Sequence, residues 1–129
     1  MTNAIAIHVG DILTRPKFPG IPHEGVFAGN NQVCHNTPDE GEHISSVQEF
    51  AKGQPVKVQY TGANESKVLE RMKHVVRSPQ RYNLFLRNCQ HTANGIVYGI
   101  ARSPVVMTII VLITVGMIIW LLGKCLKAR

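Results

Sequence analysis

Residues 82–91 read Tyr-Asn-Leu-Phe-Leu-Arg-Asn-Cys-Gln-His, an apolar run that leads into Asn88 and Cys89. Apolar residues then recur at helical spacing, which predicts a helix that begins at Cys89 with Asn88 as its N-cap. The unpaired N–H groups and partial positive charge of a helix N-terminus stabilise a thiolate. We therefore expect a lowered pKa for Cys89 and a thiol that acts as a nucleophile. The apolar stripe of this helix consists of Cys89, Ala93, Ile96, Val97 and Ile100.

Two histidines belong to a predicted β-hairpin upstream of this helix. A short strand at residues 25–29, a turn at Asn30-Asn31 and a returning strand at residues 32–35 make up the hairpin. His23 begins one strand and His35 ends its neighbour, so both imidazoles are expected at the same end of the sheet. A thiol nucleophile needs a base and a group that orients the base. The hairpin supplies side chains for both.

The rest of the globular part predicts a small α+β domain with an antiparallel sheet and packed helices. Pro16, Pro19, Gly20 and Pro22 are expected to prevent regular structure between the first strand and the hairpin. The other predicted elements are a strand or extended segment within residues 4–13, a surface loop at 36–42, a helical or extended connector at 44–50, a strand at 56–60 and a helix from Asn64 to Ser78-Pro79.

The C-terminal quarter of the chain predicts a membrane span. Residues 105–122 read VVMTIIVLITVGMIIWLL, with no charge, and are about long enough to cross a bilayer. A domain of this size has too little mass to cover a helix that is apolar on every face. Trp120 and the basic residues after it fit an interfacial belt and flank. We predict a domain at residues 1–103, a transmembrane helix at 104–123 and a short basic tail at 124–129.

The N-terminus shows no secretory signal, because no adequate apolar segment develops after Met1. We therefore expect a single-pass, tail-anchored protein with its globular domain in the cytosol. Cys34, Cys89 and Cys125 form no disulfide framework, so reduced thiols are expected. The basic residues on both sides of the span leave the orientation open.

Charge argues against a nucleic-acid partner. The chain has 14 Lys and Arg against 8 Asp and Glu, but three of the basic residues lie in the predicted tail. The remaining excess is small, and no basic-aromatic interleaving is present. A basic cluster before the Cys89 motif suits either anionic headgroups or a solvated helix face. Nothing in the sequence indicates an oligomeric state.

Three motifs in order connect the chain to a known family. These are Gly10-Asp11, then His-x-Gly-Val-x-x-Gly from His23, then Tyr-Asn-Leu-x-x-x-Asn-Cys-x-His from Tyr82, with His35 between the last two. Together they resemble the lecithin:retinol acyltransferase-like proteins, also called H-box/NC proteins. That family is the circularly permuted, NlpC-type branch of the papain-like fold. The similarity runs from about Gly10 to about Ser103.

The resemblance implies an enzyme with a Cys-His-His triad. Cys89 would be the nucleophile, His23 the general base and His35 the residue that orients His23. The thiol would take an acyl group as a thioester and pass it to water, an amine or an alcohol, with a membrane phospholipid as acyl donor and no metal or cofactor. The backbone N–H of Cys89 is a natural oxyanion donor. The sequence departs from the family after Cys89, where Gln90-His91-Thr92 keeps the histidine but lacks the usual aromatic residue.

Two other functions stay open at this point. A permuted papain-like family of proteases for ubiquitin-like proteins shares the Tyr-Asn-Leu-Phe-x-x-Asn-Cys run, which allows a peptide or isopeptide substrate. Some H-box/NC proteins are membrane accessory proteins without catalysis, and the chain could be one of them. Zinc is disfavoured because the Cys and His spacing matches no paired-ligand pattern. We interpret His91 as structural and His8, His43 and His74 as surface residues.

Overall fold

The computed structural model describes residues 6–128, which form an α+β fold with five strands and four helices. The fold class predicted from the sequence is confirmed. The segment predicted at residues 4–13 begins outside the described residues, and its strand starts at Ile12. The elements are β1 (Ile12–Phe18), β2 (Ile21–Gly29), β3 (Gln32–Thr37), β4 (Gly41–Ser46), α1 (Val47–Ala51), β5 (Lys57–Gln59), α2 (Glu65–Arg77), α3 (Cys89–Tyr98) and α4 (Pro104–Lys127).

The five strands form one antiparallel sheet in the order β4-β3-β2-β1-β5. The β2–β3 hairpin is confirmed with its predicted turn. Asn30 and Asn31 both have positive φ, 48° and 60°, as expected for the two central residues of a type I′ hairpin turn. This register pairs Gly25 with His35 and leaves residues 21–24 of β2 extending beyond β3. His23 lies in that overhang.

The predicted break in regular structure is confirmed at Pro19 and Gly20, which form the turn between β1 and β2, but it is wrong at Pro16 and Pro22. Pro16 and Pro22 lie inside β1 and β2 and face each other in the register. Both lie where the strand has no second neighbour, since β5 pairs only with residues 12–14 and β3 begins pairing at Gly25. A proline is tolerated there because no ladder hydrogen bond is lost.

The surface loop predicted at residues 36–42 is confirmed only for the exposed turn at 38–40, because β3 runs to Thr37 and β4 begins at Gly41. The polar side chains at the two predicted ends, Asn36 and Glu42, are buried and hydrogen-bonded. Asn36 donates to the Arg87 carbonyl at 2.9 Å, and the Glu42 carboxylate accepts from Arg87 Nε and Thr92 Oγ1, both at 2.8 Å. Burying a carboxylate costs much free energy unless the carboxylate is paired and hydrogen-bonded, as Glu42 is. These bonds hold the segment before Cys89 against the sheet.

The connector predicted at residues 44–50 proves to be the end of β4 followed by α1. Helices α2 and α3 cover one face of the sheet, and α1 covers the other with the fully buried ring of Phe50. The predicted α2 is confirmed, with Asn64 as N-cap. In the α3 stripe, Ile100 is exposed because Gly99, with φ 74°, ends the helix before it. The α2–α3 core consists of Ile12, Val26, Cys34, Val68, Met72, Val75, Ala93, Ile96 and Val97.

Helix α4 leaves the domain and is exposed along nearly its whole length, with Val106 its buried residue. It is long and apolar enough to cross a membrane. It begins at Pro104 as predicted and continues four residues past the predicted end at 123. Pro104 occupies the first turn, where a missing N–H costs nothing.

Candidate active site

The helix that begins at Cys89 is capped as the sequence predicts. The Asn88 side chain accepts hydrogen bonds from the backbone N–H groups of Gln90 and His91, at 2.9 and 3.1 Å. The Asn88 backbone N–H donates in return to His91 Nδ1 at 3.3 Å, which completes a capping box. His91 therefore fixes the helix start, in agreement with its structural interpretation.

The Cys89 thiol lies against the overhanging part of β2. Its sulfur is 4.0 Å from the carbonyl oxygen of Pro22, and the backbone N–H of Glu24 also interacts with it. In an extended strand these two backbone groups point to the same edge and flank the residue between them. That residue is His23. The overhang thus leaves a free strand edge beside His23, and the thiol lies at that edge.

The two predicted histidines are joined directly. His23 Nε2 and His35 Nδ1 are 2.9 Å apart, and His35 Nε2 is 2.9 Å from Ser45 Oγ on the next strand. The Ser45 hydroxyl donates to the carbonyl of Ser46 at 3.2 Å, so its oxygen accepts from His35 Nε2–H. His35 Nδ1 then accepts from His23 Nε2–H, an assignment of tautomers that follows from the partners. The order of donors leaves His23 Nδ1 with its lone pair free.

His23 Nδ1 is buried and has no hydrogen-bond partner among residues 6–128. The ring is stacked on Phe50 at 5.3 Å between centroids, and the His35 ring meets the same phenyl edge-on at 5.2 Å. Gly25 makes this packing possible, because a Cβ there would lie 2.5 Å from Val33 Cγ1 and 2.9 Å from Phe50 Cε2. The structure therefore joins His23 to His35 by a hydrogen bond, but it does not join Cys89 to His23 by one.

Burial controls the protonation of all three residues. Burial, and next the neighbouring His35, lower the pKa of His23 from 6.5 to about 3. Burial, and next His43, lower the pKa of His35 to about 3. Burial also raises the pKa of Cys89, although the N–H groups of Glu24 and Gln90 act in the opposite direction. The predicted lowering of the Cys89 pKa is wrong, because desolvation outweighs the helix N-terminus. The site at neutral pH holds a thiol and neutral imidazoles.

Of the other histidines, His8 and His74 are exposed as predicted, but the surface interpretation of His43 is wrong. His43 is half-buried with its ring 4.3 Å from that of His35. Its nitrogens contact the Glu40 carboxylate at 2.7 Å and the Gly41 carbonyl at 2.8 Å. His43 thus packs against His35 from the neighbouring strand, β4. The register of β4, which the predicted loop concealed, is what places it there.

Gln90 and Ser103 form a connection that the sequence did not indicate. Gln90 Nε2 donates to the Glu24 carboxylate at 3.1 Å, and Gln90 Oε1 accepts from Ser103 Oγ and from the Val105 N–H. Asn88 Nδ2 also donates to Ser103 Oγ, at 3.1 Å. The start of α4 is therefore bonded to the residues on both sides of Cys89. In the sequence, the only signal for this connection is that two polar residues, Asn88 and Gln90, flank Cys89.

A cavity of about 100 Å³ lies beside the Cys89 thiol. Lys17 and Tyr82 lie at this cavity with Cys89, and apolar side chains make up much of the remaining wall. A larger cavity of about 660 Å³ lies between α2 and α3 and does not include Cys89. In residues 6–128, no three His, Cys, Asp or Glu side chains are grouped to hold a metal ion.

A thiol at the start of a helix, packed on an antiparallel sheet beside two bonded histidines, defines the class as an α+β domain with a Cys-His-His cluster. A family model described as lecithin retinol acyltransferase matches residues 5–102. The chain belongs to that family, which the motifs had indicated. The family is generally of acyltransferase or phospholipase type. Among curated proteins, none matches the chain.

Proposed function

We propose that the protein is a membrane-anchored enzyme in which the Cys89 thiol attacks the acyl carbonyl of a membrane lipid. The observation that supports this most is the free lone pair of buried His23 Nδ1, since His35 and Ser45 fix the tautomer and nothing among residues 6–128 uses that atom. A base needs a free acceptor within reach of the proton it takes. The Cys89 thiol, at the strand edge beside His23, carries that proton.

The first half of the reaction forms an acyl-enzyme. The Cys89 proton passes to His23 Nδ1 as the sulfur bonds to the acyl carbon. The proton then leaves His23 with the departing alcohol when the ester C–O bond breaks. A thioester on Cys89 results, and the His23–His35 bond holds the imidazolium that forms on the way. The N–H groups at the start of α3 stabilise the oxyanion.

The second half transfers the acyl group. Water, an amine or an alcohol loses its proton to His23 Nδ1 as it bonds to the acyl carbon, and the C–S bond breaks to return the proton to Cys89. A buried thiol with a raised pKa suits this order, because the proton leaves only when the substrate is in place. The thiol–imidazole contact is expected to shorten in that complex, as is common for sites without substrate.

The chain is proposed to divide into a catalytic domain at residues 1–103, a transmembrane helix at 104–123 and a basic tail at 124–129. The exposure of α4 supports this, since a core helix of the domain would be covered. Tethering raises the effective concentration of the thiol at the bilayer. We place the domain on the cytosolic side of the membrane.

The proposal is tested with the full chain in phospholipid vesicles. Intact mass is expected to show an acyl-sized adduct on the wild type and on Cys125→Ser, and none on Cys89→Ala. Fatty-acid release should follow the same pattern. Cys125→Ser is the matched control because Cys125 is an exposed thiol on α4. If no variant carries an adduct while a peptide-based thiol probe labels Cys89, the substrate is a peptide or isopeptide; absence of both signals would indicate a binding protein.

A further inference from the structure

The apolar run before Cys89 forms an exposed turn. Leu84, Phe85 and Leu86 are 55%, 56% and 76% exposed to solvent. The turn is fixed at both ends, because Asn83 and Arg87 exchange backbone hydrogen bonds of 3.0 and 2.8 Å. The Asn83 side chain also accepts from the N–H groups of Phe85 and Leu86, both at 3.0 Å. Three large apolar side chains are therefore held outward on a defined turn.

A second exposed apolar pair lies on the β1–β2 hairpin nearby. Phe18 and Ile21 are partners in the register and are 61% and 42% exposed. Lys17 Nζ lies 5.3 Å from the Tyr82 ring, which joins this hairpin to the segment that carries the exposed turn. We call the five exposed side chains the apolar rim; it consists of Phe18, Ile21, Leu84, Phe85 and Leu86. Contiguous exposed apolar groups of this kind mark surfaces that contact a partner or a membrane.

The apolar rim, the thiol and α4 meet at one cavity. The cavity of about 100 Å³ beside Cys89 has walls from the rim and from the first turns of α4. The bonds of Ser103 to Asn88 and Gln90 fix that end of α4 against α3. The apolar wall consists of Ile21, Leu84, Phe85, Val105, Val106 and Ile109.

The size of this cavity limits what it can enclose. Pockets that bury most of a small ligand measure roughly 300–1,000 Å³. At about 100 Å³, the space beside Cys89 admits only the reacting end of a long-chain ester. The remainder of an acyl chain extends beyond this cavity and needs apolar surroundings. The exposed face of α4 continues directly from the cavity wall, and a bilayer around α4 would supply those surroundings.

We infer that the apolar rim inserts into the bilayer leaflet that α4 enters, so that a lipid acyl ester reaches Cys89 from the membrane through this cavity. The occupant of the rim is the phospholipid bilayer, because the rim is continuous with an exposed apolar helix of membrane-spanning length. Lys17, at the cavity, provides a cation at headgroup level. The acyl part of this inference rests on the proposed function, whereas the insertion of the rim does not.

Insertion is measured by tryptophan quenching, which needs no catalysis. Trp120 is the only tryptophan of the chain, so Trp120→Phe provides a silent background. Phe85→Trp and Val76→Trp are made in it, Val76 being an exposed residue of α2 outside the rim. The full chain is placed in phosphatidylcholine vesicles with lipids brominated on the upper acyl carbons. Phe85→Trp should lose at least twice the fraction of fluorescence that Val76→Trp loses; equal quenching would overturn the inference.

The access route is measured by activity on two substrates. Phe18→Ser with Leu86→Ser removes rim side chains that do not line the cavity, and Val76→Ser is the matched control. Activity on vesicle phospholipid should fall at least tenfold more than activity on a water-soluble short-chain ester. Equal losses on both substrates would contradict bilayer access. Strong quenching of the Phe85→Trp probe, together with a wild type that releases no fatty acid, would support insertion of the rim and contradict the proposed function instead.

Discussion

The histidine pair and the thiol are positioned by opposite means. His23 and His35 lie on paired strands, are buried, and share a hydrogen-bond chain that ends on Ser45. Cys89 follows an exposed apolar turn and lies where the sheet, α3 and the start of α4 come together. The proposed base, His23, is therefore fixed by the interior of the domain, whereas the proposed nucleophile, Cys89, lies at the boundary with the proposed membrane anchor.

Under the proposed function, the contrast suits one small domain to combine precise proton transfer with access for a large apolar substrate. Strand pairing fixes side chains at short spacing, which suits a base whose tautomer must be defined. A helix start at the edge of the domain places the buried Cys89 sulfur beside a cavity of about 100 Å³, from which an external group could approach it. The two regions are joined by a Gln90–Glu24 side-chain hydrogen bond of 3.1 Å and by the contacts of the Cys89 sulfur with the backbone of Pro22 and Glu24.

The largest effect is expected from replacing His23, the proposed general base in the interior of the domain. His23→Gln should lower fatty-acid release from vesicles by about 10²- to 10⁴-fold, the usual contribution of a general base. His74→Gln, on the exposed face of α2, is the matched control and should stay within twofold of wild type, a margin small against that range. The thermal unfolding midpoint of each variant reports whether it folds. A loss of less than tenfold in folded His23→Gln would contradict its role.

Stability against pH sharpens the same comparison. The unfolded chain binds protons on His23 and His35 near pH 6.5, but the folded chain binds them only near pH 3. Between these values the unfolded state holds more protons, so stability falls as the pH falls, by up to about 1.4 kcal/mol per pH unit for each histidine. Burial raises the pKa of Glu24, which offsets part of the loss at the acid end.

The double variant His23→Gln with His35→Gln should remove most of this slope. Thermal midpoints of the full chain in detergent micelles, measured from pH 7 to pH 4, compare it with wild type. His8→Gln with His74→Gln is the control pair, because both side chains are exposed. An equally steep slope in the His23→Gln, His35→Gln variant would show that other groups control stability at acid pH.

The sequence predicted the elements that carry periodic apolar residues or a capping signal. The β2–β3 turn, α2 and the start of α3 all follow local rules, and each is found where expected. The strand ends at residues 36–37 and 41–42 were missed because the Asn36 and Glu42 side chains are satisfied by a distant partner, Arg87. Partners that far along the chain leave no local pattern to detect.

Within the site, too, the residues marked by local patterns were predicted and those that depend on distant parts of the fold were not. Cys89, His23 and His35 could be selected from motifs, but Ser45, His43 and Ser103 depend on strand register and on where α4 begins. The direction of the Cys89 pKa was missed because the helix N-terminus is a local feature whereas burial is a property of the whole fold. Chemistry that depends on residue type was predictable, and chemistry that depends on desolvation was not.

A smaller effect is expected where the two histidine strands pack on Phe50. Gly25→Ala places a Cβ 2.5 Å from Val33 Cγ1, so Val33 or the strand must move. Overpacking of this kind lowers the free energy of unfolding by about 1–3 kcal/mol. Gly95→Ala in α3 is the control, because its nearest neighbour would be 3.7 Å away and alanine favours a helix by up to about 1 kcal/mol. Urea unfolding of both variants measures the difference, and equal stability would contradict the packing argument.

The smallest effect tests whether the hydrogen-bond chain, rather than packing alone, orients the base. Ser45→Ala removes the acceptor of His35 Nε2–H, so His35 can take either tautomer and His23 Nδ1 is no longer uniquely free. A lost hydrogen bond of about 1.4 kcal/mol in the transition state corresponds to about a tenfold lower kcat. KM should change little, because the Ser45 hydroxyl bonds His35 and the Ser46 carbonyl and does not line the cavity beside Cys89.

Ser45→Thr keeps the hydroxyl and should restore most of the rate, whereas the exposed α2 variant Ser66→Ala should match wild type throughout. Steady-state kinetics on vesicle phospholipid separate kcat from KM in all three. A merely structural serine would lower stability without this pattern of loss and rescue. If Ser45→Ala retains the wild-type kcat, the tautomer of His35 is fixed by its burial between Phe50 and His43, and the sheet alone orients the base.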